Sequence, residues 1–317
     1  MSALHHLTDV LPFCPRPGSG TVGDPLSALI ARRGTLAVIT GVEGPSYRPV
    51  GAAMALFADG GRLGSLSSGC VEADLARHAE DALRNGRPAL LRYGRGSPWF
   101  DIQLPCGGGL EIMLLPAPDP RLLAEAARLS AARQVHALSI APDRGLLYAG
   151  SEQPMGWEGG LFHLRRQPEP RFLIFGAGPE ALVFAGLVHS AHFPALLASH
   201  DPETLEQAEP LGIDLRRLST TSLPPDIPVD RWSNAVLFYH DHDREPPLLR
   251  DLLATPARYI GAQGSRRARD TRLEAMRQMG VSDPDLARLR GPIGLIPSTR
   301  DPRTLAVSVL AEILSEG

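Results

Sequence analysis

At 317 residues, 43% of them hydrophobic and 21% charged, the chain is longer than one usual domain and ordinary in composition for a soluble globular protein, so two domains are expected. A formal net charge of -3 gives no case for nucleic acid or an anionic membrane, no apolar run nears the roughly 20 residues that span a bilayer, and no signal peptide is apparent, which points to the cytoplasm. The sequence contains no lysine, which excludes a Walker-type loop, a Schiff-base lysine and a lysine general base, and leaves arginine, helix N-termini and backbone amides to meet any phosphate.

Residues 1–24, with Pro12, Pro15 and Pro17 and no periodicity, read as a flexible lead-in, and Cys14 within it as incidental. A short helix is predicted at 26–33 and a strand at 35–40, followed by a turn-rich loop, 41–51, that carries Pro45, Tyr47, Arg48 and Pro49. A second strand, 53–58, is closed by Asp59-Gly60-Gly61, a hairpin signal. Next comes Gly64-Ser65-Leu66-Ser67-Ser68-Gly69-Cys70-Val71-Glu72. Val71, Leu75, Ala79 and Leu83 recur at helical spacing until Asn85-Gly86 stops the helix. Cys70 is thereby placed at a helix N-terminus, where the dipole predicts a depressed thiol pKa. Glu72 serves that first helical turn electrostatically.

Strands follow at 89–93 and 101–104. Cys106-Gly107-Gly108-Gly109 then leads into a strand at 111–115, and its glycines let the backbone fold round a ligand and turn successive amides toward an anion. A helix at 121–133, strands at 135–140 and 146–149 about Asp143-Arg144-Gly145, and an irregular stretch at 150–164 complete a first domain, 25–167, of α+β type. Arg165, Arg166, Pro168 and Pro170 mark the linker to a second domain, 168–317.

That second domain opens on an apolar strand, 171–175, the turn Gly176-Ala177-Gly178-Pro179-Glu180-Ala181, and a helix at 181–190. Strand, G-x-G-x-x-A and helix in that order are a dinucleotide-binding fingerprint. Asp201, after the apolar run 193–198, stands where an acid would meet a ribose. Together they make an NAD(P)-dependent oxidoreductase one candidate, and a turn of this shape that binds nothing another. A helix at 202–210, strands at 213–218, 235–239 and 259–260, and helices at 246–254, 266–279, 284–288 and 303–314 alternate as a parallel sheet requires. His240-Asp241-His242 closes one strand at the carboxyl edge, with His240 and His242 on one side; a cofactor contact, a domain interface, a metal and a plain polar loop all fit. Gly264-Ser265-Arg266-Arg267 offers amides, a hydroxyl and guanidinium forks to a phosphate or carboxylate, with a capped helix bearing solvated arginines as the alternative. Arg48, in its proline-flanked loop, is a further candidate anion partner.

The chain resembles the XdhC/CoxI family of accessory proteins for molybdenum hydroxylases of the xanthine dehydrogenase and CO dehydrogenase type. The resemblance rests on Gly44-Pro45-Ser46-Tyr47-Arg48-Pro49, on the motif ending in Cys70-Val71-Glu72, and on Cys106-Gly107-Gly108. In the second half it rests on Gly176-Ala177-Gly178, His240-Asp241-His242, Gly264-Ser265-Arg266-Arg267 and Gly291-Pro292-Ile293-Gly294-Leu295. It implies an α/β protein, with an N-terminal α+β XdhC/CoxI domain followed by a Rossmann-like parallel-sheet domain. It also implies a chaperone that binds the molybdenum cofactor (molybdopterin), protects it and delivers it to an apo molybdenum hydroxylase. A cysteine desulfurase is the implied co-partner, a homo-oligomer such as a dimer the implied assembly, and the cleft between the domains the implied cargo site. Cys70 and Cys106 are the expected ligands at the molybdenum end, since thiolate is a soft donor; a pair of small buried cysteines is the alternative. Arg48, Gly176, Gly178, Asp201, His240, His242, Gly264, Ser265 and Arg266 are the other expected cofactor contacts. Pro179 departs from the histidine usual after the glycine motif, and Glu203 stands where relatives often carry arginine; both departures count against nucleotide binding.

Overall fold

Residues 35–39 are apolar or β-branched without alternation because the strand they form is covered on both faces. The computed structural model describes residues 23–67, 69, 71–95, 107–150, 152–239 and 244–316. The lead-in up to residue 22, Cys14, Cys70, the strand expected at 101–104, Cys106, His240 and His242 lie outside them. The chain divides into two compact units, residues 1–168 and 169–317.

The first unit contains, in order, α1 (Pro25–Ala31), β1 (Gly34–Glu43), β2 (Ala53–Phe57), β3 (Arg62–Gly64), α2 (Glu72–Asn85), β4 (Ala89–Gly94), β5 (Gly109–Pro116), α3 (Pro120–Ala131), β6 (His136–Ala141), β7 (Gly145–Gly150), β8 (Gly156–Glu158) and β9 (Leu161–Arg166). The strands form an antiparallel sheet of order β3-β2-β1-β5-β4 and a second of order β7-β6-β9-β8. On β1, Leu36 and Val38 join a core with α1, α3, Leu138 and Phe162, while Ala37 and Ile39 face Leu75, Ala79 and Ala82 of α2. Strand alternation thus feeds two cores from one continuous apolar run. Two of the helices begin on side-chain caps with proline at the first turn, Asp24 for α1 and Asp119 for α3, and α2 stops at Gly86 in the left-handed region.

The stretch expected to be irregular, 150–164, instead holds β8 and most of β9. Gly159 and Gly160, both at positive φ, turn the hairpin, and Trp157 packs edge-on against Phe162 at 5.5 Å. The arginines read as linker belong to β9: Arg165 pairs with Glu152 at 2.7 Å and Arg166 with Asp24 at 2.9 Å.

The second unit contains β10 (Arg171–Gly176), α4 (Pro179–Ser190), β11 (Ala195–Ser199), α5 (Pro202–Ala208), β12 (Asp214–Arg217), β13 (Ser233–Phe238), α6 (Glu245–Leu253), β14 (Tyr259–Ala262), α7 (Arg266–Gln278), α8 (Asp283–Leu286), β15 (Leu289–Arg290) and α9 (Pro302–Ser315). Its sheet runs β12-β11-β10-β13-β14-β15, with every pairing parallel. Counted from β10, the order is 3-2-1-4-5-6, the doubly wound arrangement. Leu173, Phe175, Ala235 and Leu237 pack toward α6 and α7; Phe172, Ile174, Val236 and Phe238 pack toward α4 and α9. The turns after β10, β11, β14 and β15 therefore share the carboxyl edge, where such sheets place ligands. Among the described residues no helix is long and apolar enough to cross a membrane.

Candidate functional site

Glu72, at the start of α2, is 3% exposed. One carboxylate oxygen accepts from Ser65 Oγ at 3.0 Å, Leu66 N–H at 3.2 Å and Ser67 N–H at 2.9 Å. The other accepts from Ser67 Oγ at 2.5 Å and Val71 N–H at 3.3 Å. Burial alone would raise this carboxyl, but the hydrogen bonds from Ser67, from its own backbone N–H and from Ser65 outweigh it and hold the pKa at about 2. The loop preceding α2 is thus wrapped round a buried charge. Glu72 and Asp74 both occupy the first turn, so the positive end of α2 is already met by its own carboxylates.

Gly108, two residues after Cys106, serves a packing need. A Cβ at Gly108 would lie 2.1 Å from the Pro45 carbonyl oxygen and 3.0 Å from that of Glu43, so only glycine lets this segment close on the loop that carries Arg48. Two motifs far apart in sequence are in contact here. That second loop is tied by Ser46, whose Oγ accepts the Arg48 N–H at 3.3 Å and donates to the Arg48 carbonyl at 2.8 Å. Arg48 is exposed. Leu66 and Val71, before and after Cys70, share one buried cluster with Leu110, Ile39 and Tyr93, so the segments flanking both cysteines are anchored in the same core. Among the described residues no group of three or more His, Cys, Asp or Glu is arranged to hold a metal ion.

At the carboxyl edge of the second unit, a Cβ at Gly176 would lie 2.2 Å from the Phe238 carbonyl; glycine is required for β10 to pass β13. Two amides of the glycine turn are already used. Ala177 N–H donates to the Phe238 carbonyl at 3.2 Å, Gly178 N–H to Thr204 Oγ1 at 2.9 Å, and Pro179 has none. Thr204 Oγ1 donates in turn to Asp201 Oδ2 at 2.5 Å, which also accepts Thr204 N–H at 3.0 Å. Asp201 is therefore the cap of α5, and the Thr204 hydroxyl hydrogen bond lowers its pKa, followed by that from the Thr204 N–H.

The turn after β14 is built differently. Ser265 Oγ accepts Ala268 N–H at 3.1 Å and caps α7, whose first turn holds no acid. Arg266 and Arg267 are exposed at this end. Beneath them Arg272, 3% exposed, donates through Nε to Glu245 Oε2 at 2.8 Å and through its terminal nitrogen to the Gln263 carbonyl at 2.8 Å. Gln263 N–H donates to the Leu237 carbonyl at 2.9 Å, and its Oε1 is buried without a hydrogen-bond partner among the described residues.

The chain matches the model of the XdhC Rossmann domain over residues 172–313 and that of the XdhC and CoxI family over residues 31–94. It is 33% identical over 293 residues to the molybdenum cofactor insertion chaperone PaoD of Escherichia coli, covering 92% of this chain and 86% of that one. The chain belongs to the XdhC/CoxI family. A protein of Bacillus subtilis described as a probable xanthine dehydrogenase subunit is 24% identical, covering 88% of this chain and 92% of the relative. The fold matches a crystal structure titled as a xanthine dehydrogenase from Bacillus halodurans, with a TM-score of 0.76 and 22% identity, over 92% of this chain and 94% of that one. The XdhC/CoxI match contains Arg48 and the Glu72 loop, and the XdhC Rossmann match contains the glycine turn, Asp201 and residues 264–267.

Sequence reasoning missed Thr204, the reach of Glu72 and the Arg272 anchor. One signal was present: Asp201-Pro202-Glu203-Thr204 is a helix-start pattern, repeated as Asp301-Pro302-Arg303-Thr304, where Asp301 caps α9 in the same way. Asp201→Ala is accordingly expected to cost about 1 kcal/mol through loss of a cap, read as a lower unfolding midpoint. Calorimetry should find no saturable NAD(H) or NADP(H) binding in either form; binding that the substitution abolishes would restore the ribose role.

Proposed function

We propose that this protein is a molybdenum cofactor insertion chaperone that holds the cofactor, shields it and passes it to an apo molybdenum hydroxylase. The single observation that carries this reading is the 33% identity to PaoD over nearly the whole chain. The wiring of the carboxyl edge supports it over a dehydrogenase, because the Ala177 and Gly178 amides and one carboxylate oxygen of Asp201 are bonded within the protein itself. The cofactor's phosphate is assigned to residues 264–267. Two exposed guanidinium groups in the first turn of α7 oppose the helix dipole, an arrangement that becomes favourable when an anion binds between them and the free amides. The buried Gln263 Oε1 is an acceptor for a ligand N–H. Gly176 and Gly178 shape the edge, Ser265 fixes the helix start, and Arg48, His240 and His242 are further contacts in this reading. Cys70 and Cys106 are the proposed ligands at the molybdenum end, a cysteine desulfurase supplies sulfur, the working form is a homo-oligomer, and the compartment is the cytoplasm.

The test is co-expression with cofactor biosynthesis, anaerobic purification, and assay of molybdenum and of oxidised-pterin fluorescence. A clean preparation with neither would sink the proposal. Arg266→Ala with Arg267→Ala is expected to lower cofactor retention about tenfold or more, as losing charge-assisted bonds worth roughly 1.5–3 kcal/mol requires. Retention unchanged by that pair would move the phosphate elsewhere. Full retention and full hydroxylase activation by a Cys70→Ser, Cys106→Ser variant would remove the cysteines from the site.

A further inference from the structure

The turn after β11 is Ser199-His200-Asp201, and both neighbours of the histidine are fixed: Ser199 Oγ accepts the Asp201 N–H at 3.0 Å, and Asp201 caps α5. From there His200 reaches the end of β13, across β10, which lies between β11 and β13 in the sheet. Its Nδ1 lies 3.3 Å from the hydroxyl of Tyr239, with ring centroids 6.1 Å apart, and its Nε2 lies 2.9 Å from the Thr220 carbonyl oxygen. A carbonyl only accepts, so the hydrogen is on Nε2; in the neutral ring Nδ1 then only accepts, and the phenol donates to it. Tyr239 is 6% exposed, and burial raises its pKa above the ordinary value, so the proton stays on the oxygen. The single O–H of Tyr239 is thus committed to His200, and among the described residues no donor meets the lone pairs of its oxygen. The open capacity is for accepting, and it belongs to a phenol whose orientation is fixed before any ligand arrives.

The pair lies beside the turn assigned to the cofactor phosphate. Leu237 of β13 and Ala262 of β14 are register partners, so Tyr239 and Gly264, each two residues on, leave neighbouring strands at the same level. Tyr239 also packs in the cluster that holds Leu273 and Met276 of α7, which puts it on the α7 face of the sheet. The crossovers divide here: α4, after β10, packs on one face and α6, after β13, on the other. The ends of β10 and β13 therefore form the switch point at which doubly wound sheets bind ligands. From the end of β14 to the end of β11 is three strand spacings, roughly 14 Å, a length that suits a phosphate at one end and a fused heterocycle at the other. Resting on the chaperone reading, we infer that Tyr239 is the contact for the heterocyclic end of the cargo, accepting a hydrogen bond from the amino N–H of the pterin, and that His200 is the positioning residue that keeps its oxygen an acceptor. An acceptor at that point disfavours the carbonyl and phosphate oxygens of the cargo, so it sets which way round the cargo lies.

The experiment uses the full chain, co-expressed with cofactor biosynthesis and purified without oxygen, and reads oxidised-pterin fluorescence per chain beside the unfolding midpoint. Tyr239→Phe removes the oxygen and keeps the ring; the expected result is a folded protein that retains about fivefold less pterin, as loss of one hydrogen bond requires. His200→Asn can place an amide oxygen where Nδ1 stood and should retain pterin near the parent level. His200→Gln reaches the Nε2 position instead, leaves Nδ1 unreplaced, and should fall with Tyr239→Phe. The contrast between the two histidine variants still decides if Tyr239→Phe unfolds. Parent-level retention in a folded Tyr239→Phe, or equal retention in the two histidine variants, would overturn the assignment while leaving the chaperone reading intact. A parent protein that carries no cofactor would remove the chaperone reading and this inference with it.

Discussion

Replacing Arg272 by methionine is expected to destabilise the second domain by about 3–5 kcal/mol, because it removes the guanidinium paired with the buried Glu245 carboxylate. The side chains of the pair are 2% and 0% exposed and meet at 2.8 Å. Pairing of this kind is weak evidence for net stability, since two charges must be stripped of water, but removal of one partner exposes the whole desolvation cost of the other. The prediction therefore has two parts. Arg272→Met alone should lower the urea midpoint strongly, and the double change Arg272→Met, Glu245→Leu should recover much of the loss. Equal losses in single and double variants would show that volume, and not the lost ion pair, sets the cost. Arg272 also holds the Gln263 carbonyl, at the entry to the turn that presents Arg266 and Arg267. Even below its unfolding transition the double variant should retain cofactor less well than the parent, because the turn has lost one of its two backbone anchors.

The layering of the five-stranded and six-stranded sheets was legible in the sequence where periodicity and turn chemistry agreed. The run from Ala235 onward, the glycine stop at Gly86 and the hairpin at Asp59-Gly60-Gly61 each carry a local cause, and each element stands within a few residues of its expected place. The hairpin of β8 and β9 was hidden because Gly150, Gly156, Gly159 and Gly160 break any alternation into pieces too short to read. β15, two residues long, has no sequence signal apart from its neighbours. In the candidate site the limits were of another kind. Sequence identifies Gly108 as able to bend around a ligand, but not that Pro45 occupies that space. It marks Asp201 as an acid after a second strand, yet the partner of an acid is a matter of three dimensions, and here Thr204 is that partner. Arg272 carries no motif, because its role arises only when α6 and α7 pack together.

Glu72 carries the other large effect. Glu72→Ala leaves the Ser65 and Ser67 hydroxyls and the Leu66 and Ser67 amides without their shared acceptor, while the Val71 amide keeps Ser67 Oγ, and with a buried site to refill the expected loss is about 3 kcal/mol. Glu72→Gln keeps the shape, retains one carbonyl acceptor and removes the charge, so its loss should be smaller. The pH dependence separates charge from packing. The carboxyl titrates at about 2 when folded, against an ordinary value of 4.5. A folded-state value below the unfolded one means that the stabilisation is complete above pH 4.5 and is lost as pH falls toward 2. Between those limits the parent's unfolding free energy should fall by about 3 kcal/mol more than that of Glu72→Gln, the equivalent of the difference between the two values. Parallel curves for parent and Glu72→Gln across this window would mean that the carboxylate is not charged in the folded protein. The same variant bears on function, because the loop that Glu72 gathers runs up to Cys70. If that loop must be held in place for the cysteine to reach the cofactor, Glu72→Gln should lower cofactor retention at pH 7, where the fold itself is intact. Retention equal to the parent, together with the altered acid limb, would confine Glu72 to stability.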